Sequence, residues 1–589
     1  MPNAPAPRAT ESRGNGCLLV IGDSTQAEYA HLTEVAFAAF DHFGMPYRVH
    51  DLARGRLAGV DPSGFSAVVA AQEHLGRSLS GDEKGTLLRL VEAGLGFVNF
   101  DHDIEAYGDE LPAALGLTPP GPSGVPVGSS EALVIRDGDH FVSATRNAGT
   151  AQRFHMPVPV SLTRSGNPDL RVLAESAQGA PLLVAGQVGR GRVVQWLVSP
   201  KVWLRQFLGH AHGLDDLFWK GIVWAARKPF VMKAMPPFVR LRFDDCTGLW
   251  RDGADFQFVD VLNRAGHRPS LCVCMRAVTS SGARKIHELY ADGLAEFAPH
   301  TLKAGTSLFY GDERGEYSVA EFETLIREME DHLRRWAIRP SKILSDHDHE
   351  YSSRVLPFLK ELGIRYKMNI TLPDERWTDI HRDWRPAPYG SMSYALDYLP
   401  GTRDLFVVFN HYPAFDYART YLPDGRFLYN RAGGFGDHMW DFLNGLTTYR
   451  GQRRENDIAA AAERLAAHTR LGLDSLFFGG SITHSHFIQQ LSAKEWEALL
   501  ERYETLTRRY TKLNVGYDFL ADYARAKVDT QLTRVVRDAG TGAVQCTVAG
   551  EAEVDLQLYV FRERDGEVTH TFETVPAFRG RIEVRFGAA

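Results

Sequence analysis

Apolar and polar positions divide the first part of the chain into alternating strands and helices. The stretch CLLVIGD (17–23) is typical of a buried strand, and residues 26–44 combine helical apolar spacing with a terminal glycine. YRVHDL, FSAVVAAQ and GLGFVNF continue the series as further strands. This alternation predicts a doubly wound parallel sheet. A β-rich segment follows from about 130 to 205 and ends in a predicted hairpin around GRG.

The middle of the chain repeats the alternation over a longer distance. Strands and amphipathic helices follow each other from about 235 to 525, and capping boxes begin two of the helices, at Ser318 with Glu321 and at Ser492 with Glu495. A series of this length predicts a (β/α) barrel, regular or distorted. The predicted strands of the barrel are 238–243, 270–275, 341–345, 364–370, 404–410 and 474–482.

The end of the chain changes to short runs that alternate apolar and polar residues between turn signals. This pattern predicts a small antiparallel, sandwich-like β-domain. The predicted fold class is therefore α/β, in three successive domains behind a disordered lead. The predicted boundaries are 1–15 for the lead, 16–230 for the first domain, 235–525 for the barrel and 527–589 for the β-domain.

Composition and charge exclude several classes of function. The chain has 589 residues, a formal charge of -7 and a pI near 6.3, which give no basic footprint, so nucleic acid is not an expected partner. No apolar run approaches the roughly 20 residues needed to cross a bilayer, and the N-terminus lacks the apolar core of a signal peptide. A cytoplasmic location is the default expectation, although export by another route would leave the same sequence. The oligomeric state is left open.

Polar residues with metal-binding chemistry follow several predicted barrel strands. Because the loops after the strands form the active face of such barrels, side chains distant in sequence should converge there. A convergence of aspartate and histidine suggests a divalent metal site with open coordination positions. The residues concerned are Asp244, Asp245, His300, Asp346, His347, Asp348, His349, His411, His484 and His486.

These motifs resemble a known superfamily when they are taken in order. The aspartate pair in RFDD, the segments FAPHTLKAG and LSDHDHEYSSRVLPFLKELGIRY, and the late SITHSHF resemble the polysaccharide deacetylase (NodB homology) superfamily. The nearest resemblance is to the N-deacetylase domain of the heparan sulfate enzymes and to related aminosugar-polymer deacetylases. The first domain resembles class I amidotransferase-like folds. It carries FDHD where the nucleophilic cysteine would lie, so we expect a scaffold or binding role for it, without catalysis.

The resemblance implies a role for each matching residue. Asp244 would be the general base toward a metal-activated water, and His484 the general acid that protonates the leaving amine. Asp245 and His300 would be metal ligands. Such an arrangement would explain two adjacent carboxylates, because one of them would ligate a cation. The implied cofactor is one divalent ion, zinc in the first place, with cobalt or nickel as alternatives.

The sequence departs from the family pattern at the next metal ligand. Position 304, where a second metal histidine is usual, holds alanine. We expect DHDH to supply the missing ligand through His349 or His347, two alternatives that the sequence leaves open, with His486 as a weaker third. The arginine motif that orients the catalytic aspartate in the family is also absent from its usual place. The similar RPAPYG (385–390) comes later, so a plain proline-rich loop is the first interpretation of it.

The predicted function is metal-dependent removal of N-acetyl groups from amino sugars in a polysaccharide or glycoconjugate. Polar and aromatic residues of the barrel loops are candidates for contact with the saccharide, because sugar faces stack on aromatic rings; they are Trp250, His411, Tyr412 and His486. Two alternatives remain open. One is a non-catalytic saccharide-binding protein on a deacetylase fold, and the other is a barrel glycoside hydrolase that uses a carboxylate pair.

Overall fold

The computed structural model shows a mixed α/β protein with several sheets. It describes residues 16–119, 124–204, 206–210, 213–250, 252–303, 306, 308–311, 315–344, 356–370, 396–398, 407–411, 448–449, 452–453, 458–489, 491–537 and 543–587. Within these residues, no helix combines the length and the apolar character that a membrane crossing requires.

The first sheet contains the strands that the sequence pattern predicts for the beginning of the chain. The strands of the β-rich segment that follows belong to the same sheet. The strands up to residue 196 are β1 Cys17–Gly22, β2 Tyr47–Asp51, β3 Phe65–Ala70, β4 Gly96–Asn99, β5 Leu117–Thr118, β6 Val127–Ile135, β7 Ala151–Ser161, β8 Arg164–Ser165, β9 Arg171–Glu175, β10 Pro181–Val188 and β11 Gly191–Trp196. Nine of them form one sheet in the order β2-β1-β3-β4-β11-β10-β9-β6-β7, while β5 and β8 pair separately. The predicted hairpin around GRG is confirmed, since β10 and β11 pair antiparallel with Val188 opposite Gly191.

Helices cover this sheet and shield its apolar strands. The α-helices of this part of the chain are Tyr29–Leu32, Ala38–Phe43, Leu75–Ser78, Gly81–Glu92, Glu110–Leu115 and Asp215–Ala225. Strands β1, β3 and β4 are buried along their whole length. Parallel strands that lie between two layers of helices have this pattern. At the expected nucleophile position after β4, Asp101 and His102 are buried acidic and imidazole side chains.

The predicted barrel contains parallel strands that are separated by amphipathic helices. Strand β12, Phe230–Met232, lies before this region. The strands within it are β13 Phe238–Cys246, β14 Ser270–Cys274, β15 Glu296–Thr301, β16 Tyr310–Gly311, β17 Gly315–Glu316, β18 Ile343–Leu344, β19 Tyr366–Ile370, β20 Leu396–Tyr398, β21 Val407–His411, β22 Thr448–Tyr449, β23 Gln452–Arg453, β24 Gly479–His484 and β25 Leu513–Asn514. The pairs β16–β17, β20–β21 and β22–β23 are antiparallel. One sheet has the order β15-β14-β13-β24, with β25 also paired to β13, and another has the order β18-β19-β21-β20. A hydrogen bond from Ser341 N to Phe297 O, 2.8 Å long, connects β15 to the segment that leads into β18.

Two helices of this region begin where their capping boxes predict. Ser318 and Ser492 each accept a hydrogen bond from the backbone of the glutamate three positions later, and both capping boxes are complete. The helix bounds are Gln257–Arg264, Ser280–Ala291, Val319–Trp336, Leu356–Glu361, Ile458–Asp474, Ser485–Ile488, Ala493–Leu506 and Tyr517–Asp529.

The C-terminal strands form two antiparallel sheets, and one of them recruits a strand from much earlier in the chain. The strands are β26 Thr530–Arg537, β27 Val544–Ala552, β28 Leu556–Arg564, β29 Glu567–Val575 and β30 Phe578–Phe586. One sheet has the order β26-β27-β30, and the other has the order β12-β28-β29. Phe230 lies opposite Phe561 in this second sheet. The sequence pattern does not predict this pairing, because β12 is short and its partner is distant.

Candidate active site

Polar side chains from neighbouring strands meet at one edge of the sheet that contains β13. β13, β14, β15 and β24 are parallel, so their carboxyl ends lie at the same edge. Asp244 and Asp245 lie near the end of β13, His300 near the end of β15, and His484 at the end of β24. Asp244 is directly opposite His484 in the strand register. The structure thus brings these four predicted residues together, while their catalytic and metal-binding roles remain predictions.

Asp244 is held by an arginine of its own strand. Arg242 donates from Nε to Asp244 Oδ1 at 2.6 Å and from Nη2 to Oδ2 at 2.7 Å, a two-pronged ion pair. Residues two apart on a strand project from the same face, which places the guanidinium beside the carboxylate. The Arg242 side chain is 0% exposed and the Asp244 side chain 5% exposed, so water does not screen the pair.

The ion pair fixes the charge state of Asp244. Burial by itself would raise the pKa of this carboxyl, but the charges of Arg242 and His300, the hydrogen bonds from Arg242 and the charge of His484 together lower it well below its ordinary value. Burial would likewise lower the pKa of the Arg242 guanidinium, and the Asp244 charge raises it instead. Asp244 is therefore ionised at any working pH and its two oxygens have fixed directions.

Asp245 departs from the strand conformation. Its φ is 52°, in the left-handed region that non-glycine residues rarely adopt, and the pairing of β13 with β14 shifts register between Phe243 and Cys246. The main-chain oxygen of Asp245 accepts a hydrogen bond from Ser485 Oγ at 2.8 Å. Such an irregularity re-aims a side chain at the end of a strand, and strained residues of this kind cluster at functional sites.

The re-aimed Asp245 carboxylate faces side chains from the next two strands. Its Oδ1 lies 3.3 Å from His300 Nε2 and 3.8 Å from Cys274 Sγ. The Asp245 side chain is 20% exposed, whereas that of His300 is 3% exposed, so the carboxylate lies at the mouth of the site and the imidazole below it. Burial and then the charges of Asp245 and Asp244 raise the pKa of the Cys274 thiol well above its ordinary value.

The spacing of Asp245 and His300 suits a shared metal ion. Two donors on a tetrahedral zinc, with bonds of about 2.0–2.2 Å, lie about 3.4 Å apart, close to the 3.3 Å between Oδ1 and Nε2. A nitrogen and an oxygen donor are also the chemistry that zinc accepts. Among the residues that the structure describes, no group of three or more His, Cys, Asp and Glu could hold a metal ion. The described residues thus supply two suitable donors.

Several predicted site residues lie outside the described part of the chain. They are His347, His349 and Tyr412. His411 ends β21 and His486 belongs to the helix Ser485–Ile488, but their side chains are also outside it. The choice between His347, His349 and His486 as a further metal ligand therefore stays a prediction.

Trp250 lies in the described part, in a position that differs from its predicted role. It is 4% exposed, its indole N–H donates to Leu491 O at 3.1 Å, and its ring packs edge-on against Phe258. A ring enclosed in this way presents no free face to a sugar.

Arg242 is the residue of the site that sequence reasoning missed. RPAPYG, which the sequence suggests as a proline-rich loop first and as the source of an orienting arginine second, lies outside the described residues. The signal was nevertheless present in RLRFDD, since Arg240, Arg242 and Asp244 alternate on one face of a predicted strand. Two buried arginines on the inner face of a strand require acidic partners. Arg240 has Glu296 and Arg242 has Asp244.

Comparison with known proteins finds similarity only to solved structures. No protein-family model matches the chain, and no curated protein matches it in sequence. A protein from Mycobacterium smegmatis that is assigned as a polysaccharide deacetylase is 15% identical over 50% of this chain and 91% of that chain, with a TM-score of 0.31. A family 4 carbohydrate esterase from Streptomyces lividans, solved with acetate, is 11% identical over 48% of this chain and 93% of that chain, with a TM-score of 0.25.

A glycoside hydrolase is also among the similar structures. A β-galactosidase from Bacillus circulans is 14% identical over 36% of this chain, with a TM-score of 0.25, and this chain spans only 31% of that protein's length. At such identities and TM-scores these similarities do not assign an activity.

Proposed function

We propose that the chain is a metal-dependent hydrolase that removes N-acetyl groups from amino sugars of a polysaccharide or glycoconjugate. The observation that carries the proposal is the meeting of an ionised, arginine-held Asp244, the Asp245–His300 pair and His484 at one strand edge. This set contains a proton acceptor, two metal donors and a proton donor. The resemblance of the surrounding motifs to amino-sugar deacetylases supports the choice of an acetamide as the substrate.

Asp245 and His300 would hold the metal, together with a ligand from DHDH. A divalent ion in such a site supplies Lewis-acid activation of an amide carbonyl and a lower pKa for water. The protein's own task is to place proton-transferring groups around the scissile bond. Its residues must accept a proton from the attacking water and return one to the departing nitrogen.

Asp244 suits the role of proton acceptor because its carboxylate is ionised and is held in one orientation by Arg242. The two hydrogen bonds from Arg242 prevent rotation of the carboxylate, so its free lone pairs point in a constant direction. His484, opposite Asp244 on β24, suits the role of proton donor to the amine. Imidazole is the side chain that gives and takes protons most readily near neutral pH.

The composition of the site distinguishes this proposal from a glycoside hydrolase. A glycosidase of the usual kind needs one carboxylic acid with a raised pKa as proton donor. The pKa of Asp244 is shifted in the opposite direction, and Asp245 lies beside an imidazole. Asp244 is therefore not in the environment that keeps such an acid protonated.

The metal is tested first, by elemental analysis of the full chain as purified and after chelation. We expect about one divalent ion for each chain, and its loss in Asp245→Asn and His300→Ala. The matched controls are Asp331→Asn and His332→Ala on the helix Val319–Trp336, outside the site. Full occupancy in the two site variants would refute their assignment as ligands.

Catalysis is tested by acetate release from N-acetylated oligosaccharides with zinc, cobalt or nickel added. We expect release by the wild type and losses of about 10²–10⁴-fold in kcat for Asp244→Asn and His484→Ala, the usual contribution of one acid–base group. Near-UV circular dichroism checks that each variant is folded. A metal-loaded wild type that binds these saccharides and releases no acetate would favour the non-catalytic binding alternative.

A further inference from the structure

A polar cavity of about 360 Å³ lies between the loops of the first sheet and the end of a barrel helix. Its walls come from two separate segments: the loop that connects β6 to β7, and the turn after the helix Ala493–Leu506. The lining includes Arg136, Asp137, Asp139, Arg146, Asn147 and Arg509. The volume lies in the range of small-molecule sites in proteins.

This cavity is separate from the candidate active site. The helix Ala493–Leu506 leads from β24 back to β25, and Leu513 of β25 pairs with Phe238 at the beginning of β13. Arg509 precedes β25, so it lies toward the amino edge of the sheet. Asp244 lies at the carboxyl edge. A ligand in the cavity therefore would not touch the residues proposed for hydrolysis.

Two of the five charges at the cavity are already compensated by partners outside it. Arg146 donates from Nε to Asp216 Oδ2 at 2.9 Å, and its side chain is only 10% exposed. Asp137 accepts from Arg171 Nε at 2.8 Å. These pairs hold the β6–β7 loop in place and leave Arg146 and Asp137 close to neutral.

The remaining charges favour an anion. Arg136 is 67% exposed, and its nearest carboxylate oxygen, on Glu175, is 3.9 Å away, beyond hydrogen-bonding distance. Arg509 is exposed and donates one N–H to Arg146 O at 3.4 Å. Against these two guanidinium groups there is one further carboxylate, that of Asp139. Guanidinium groups that converge from separate segments match the oxygens of carboxylate, sulfate or phosphate.

We propose that this cavity binds an oxyanion carried by a sugar-sized ligand, with Arg136 and Arg509 holding the anionic group. Hydroxyl groups of the same ligand would donate hydrogen bonds to the Asp139 carboxylate and accept them from the Asn147 amide. An acidic sugar and a free inorganic anion share this oxyanion chemistry. The proposal does not depend on the proposed hydrolase activity, because the two sites lie at opposite edges of the sheet.

Binding is measured by calorimetry on the full chain, with glucuronate, sulfate and phosphate as separate probes and glucose as the neutral control. We expect saturable binding of an oxyanion probe that weakens as ionic strength rises. Arg136→Gln and Arg509→Gln should each weaken binding by about tenfold or more, because each removes a charge-assisted hydrogen bond. Arg89→Gln, an exposed arginine on the helix Gly81–Glu92, is the matched control and should bind as the wild type does.

Asp139→Asn gives a test of opposite sign, since removal of a negative charge from the wall should tighten binding. Glucuronate binding without binding of the inorganic anions supports an acidic sugar as the ligand, and the reverse supports a free anion. The proposal is overturned if no probe binds better than glucose. It is equally overturned if both arginine variants keep wild-type affinity while circular dichroism shows them to be folded.

Discussion

At the residue scale, the buried pair of Arg242 and Asp244 has the strongest consequences. A buried ion pair gains Coulomb energy but loses hydration, so its net contribution to stability is small while both partners are present. Removal of one partner leaves the other charge buried and uncompensated. The pair is therefore better understood as a device that fixes the direction and charge of a carboxylate than as a source of stability.

We expect Asp244→Ala to lower the free energy of unfolding by about 3–5 kcal/mol, the usual cost of an orphaned buried charge. The double variant Arg242→Met with Asp244→Leu should recover most of this stability, because apolar residues of similar volume need no hydration. It should recover no activity. Urea unfolding and acetate release measure the two effects, and a double variant as unstable as Asp244→Ala would contradict this explanation.

The same pair predicts a dependence of stability on acidity. The pKa of Asp244 is lowered in the folded protein, so the stabilisation that comes from ionised Asp244 is present above the unfolded carboxyl pKa of about 3.9 and is lost as the pH falls below it. Between about pH 5 and pH 3, the free energy of unfolding should fall more steeply for the wild type than for the double variant Arg242→Met with Asp244→Leu. Equal slopes in urea titrations at several pH values would contradict the assigned shift.

Asp245 predicts a difference between two small substitutions. Its φ of 52° costs an L-residue roughly 1–2 kcal/mol, whereas glycine adopts this conformation freely. Asp245→Gly should therefore be more stable than Asp245→Ala by about 1 kcal/mol, once the greater freedom of glycine in the unfolded chain is included. Both should lose the metal to the same degree. Thermal unfolding in chelator isolates the backbone effect from that of the ion.

At the element scale, most strands and helices could be predicted from the sequence because their signals are local. Alternation and terminal glycines predict β1, β3 and β4, and capping boxes predict the beginnings of two helices. The left-handed conformation of Asp245 could not be read in this way. It depends on how β13 is placed against β14, β15 and β24, and no spacing rule contains that placement.

Close packing between β13 and β24 gives another prediction at this scale. Gly480 has φ +137°, and a Cβ at this position would overlap the carbonyl oxygen of Arg240. Gly480→Ala should push β24, and with it His484, away from Asp244, and should destabilise the fold by several kcal/mol. The control is Gly293→Ala, where φ is +64° and no atom lies within 4 Å of the added Cβ. Strain alone should cost the control about 1 kcal/mol.

At the scale of the whole molecule, the end of the helix Ile458–Asp474 is bound to the first sheet's surroundings. Trp219 Nε1 donates to Asp474 O at 2.9 Å, and Ser475 Oγ donates to Asp215 Oδ2 at 2.8 Å. The Asp474 carboxylate accepts from Tyr510 O–H at 2.8 Å. Burial, and then the charge of Asp216, raise the pKa of Asp474 to about 7. A protonatable group thus lies where the two parts of the chain meet.

The raised pKa of the Asp474 carboxyl predicts that the folded state is less stable at neutral pH than at acidic pH. Between the unfolded pKa of about 3.9 and the folded pKa, the folded state holds a proton that the unfolded state has lost, so stability falls as pH rises through this range. Asp474→Asn removes this titrating group. The change in the free energy of unfolding with pH should therefore be smaller in the variant, by about a few kcal/mol. Unfolding midpoints at pH 5 and pH 8 measure it. A variant that keeps the wild-type slope would exclude Asp474 as the cause.

The pairing of Phe230–Met232 with β28 has a consequence for how the protein is made. During synthesis β12 leaves the ribosome long before its partner does, so its apolar edge must wait until β28, Leu556–Arg564, has emerged. Completion of this sheet is thereby tied to the synthesis of β28. A chain that stops early would carry an unpaired strand edge open to other molecules, which marks it for aggregation or for quality control.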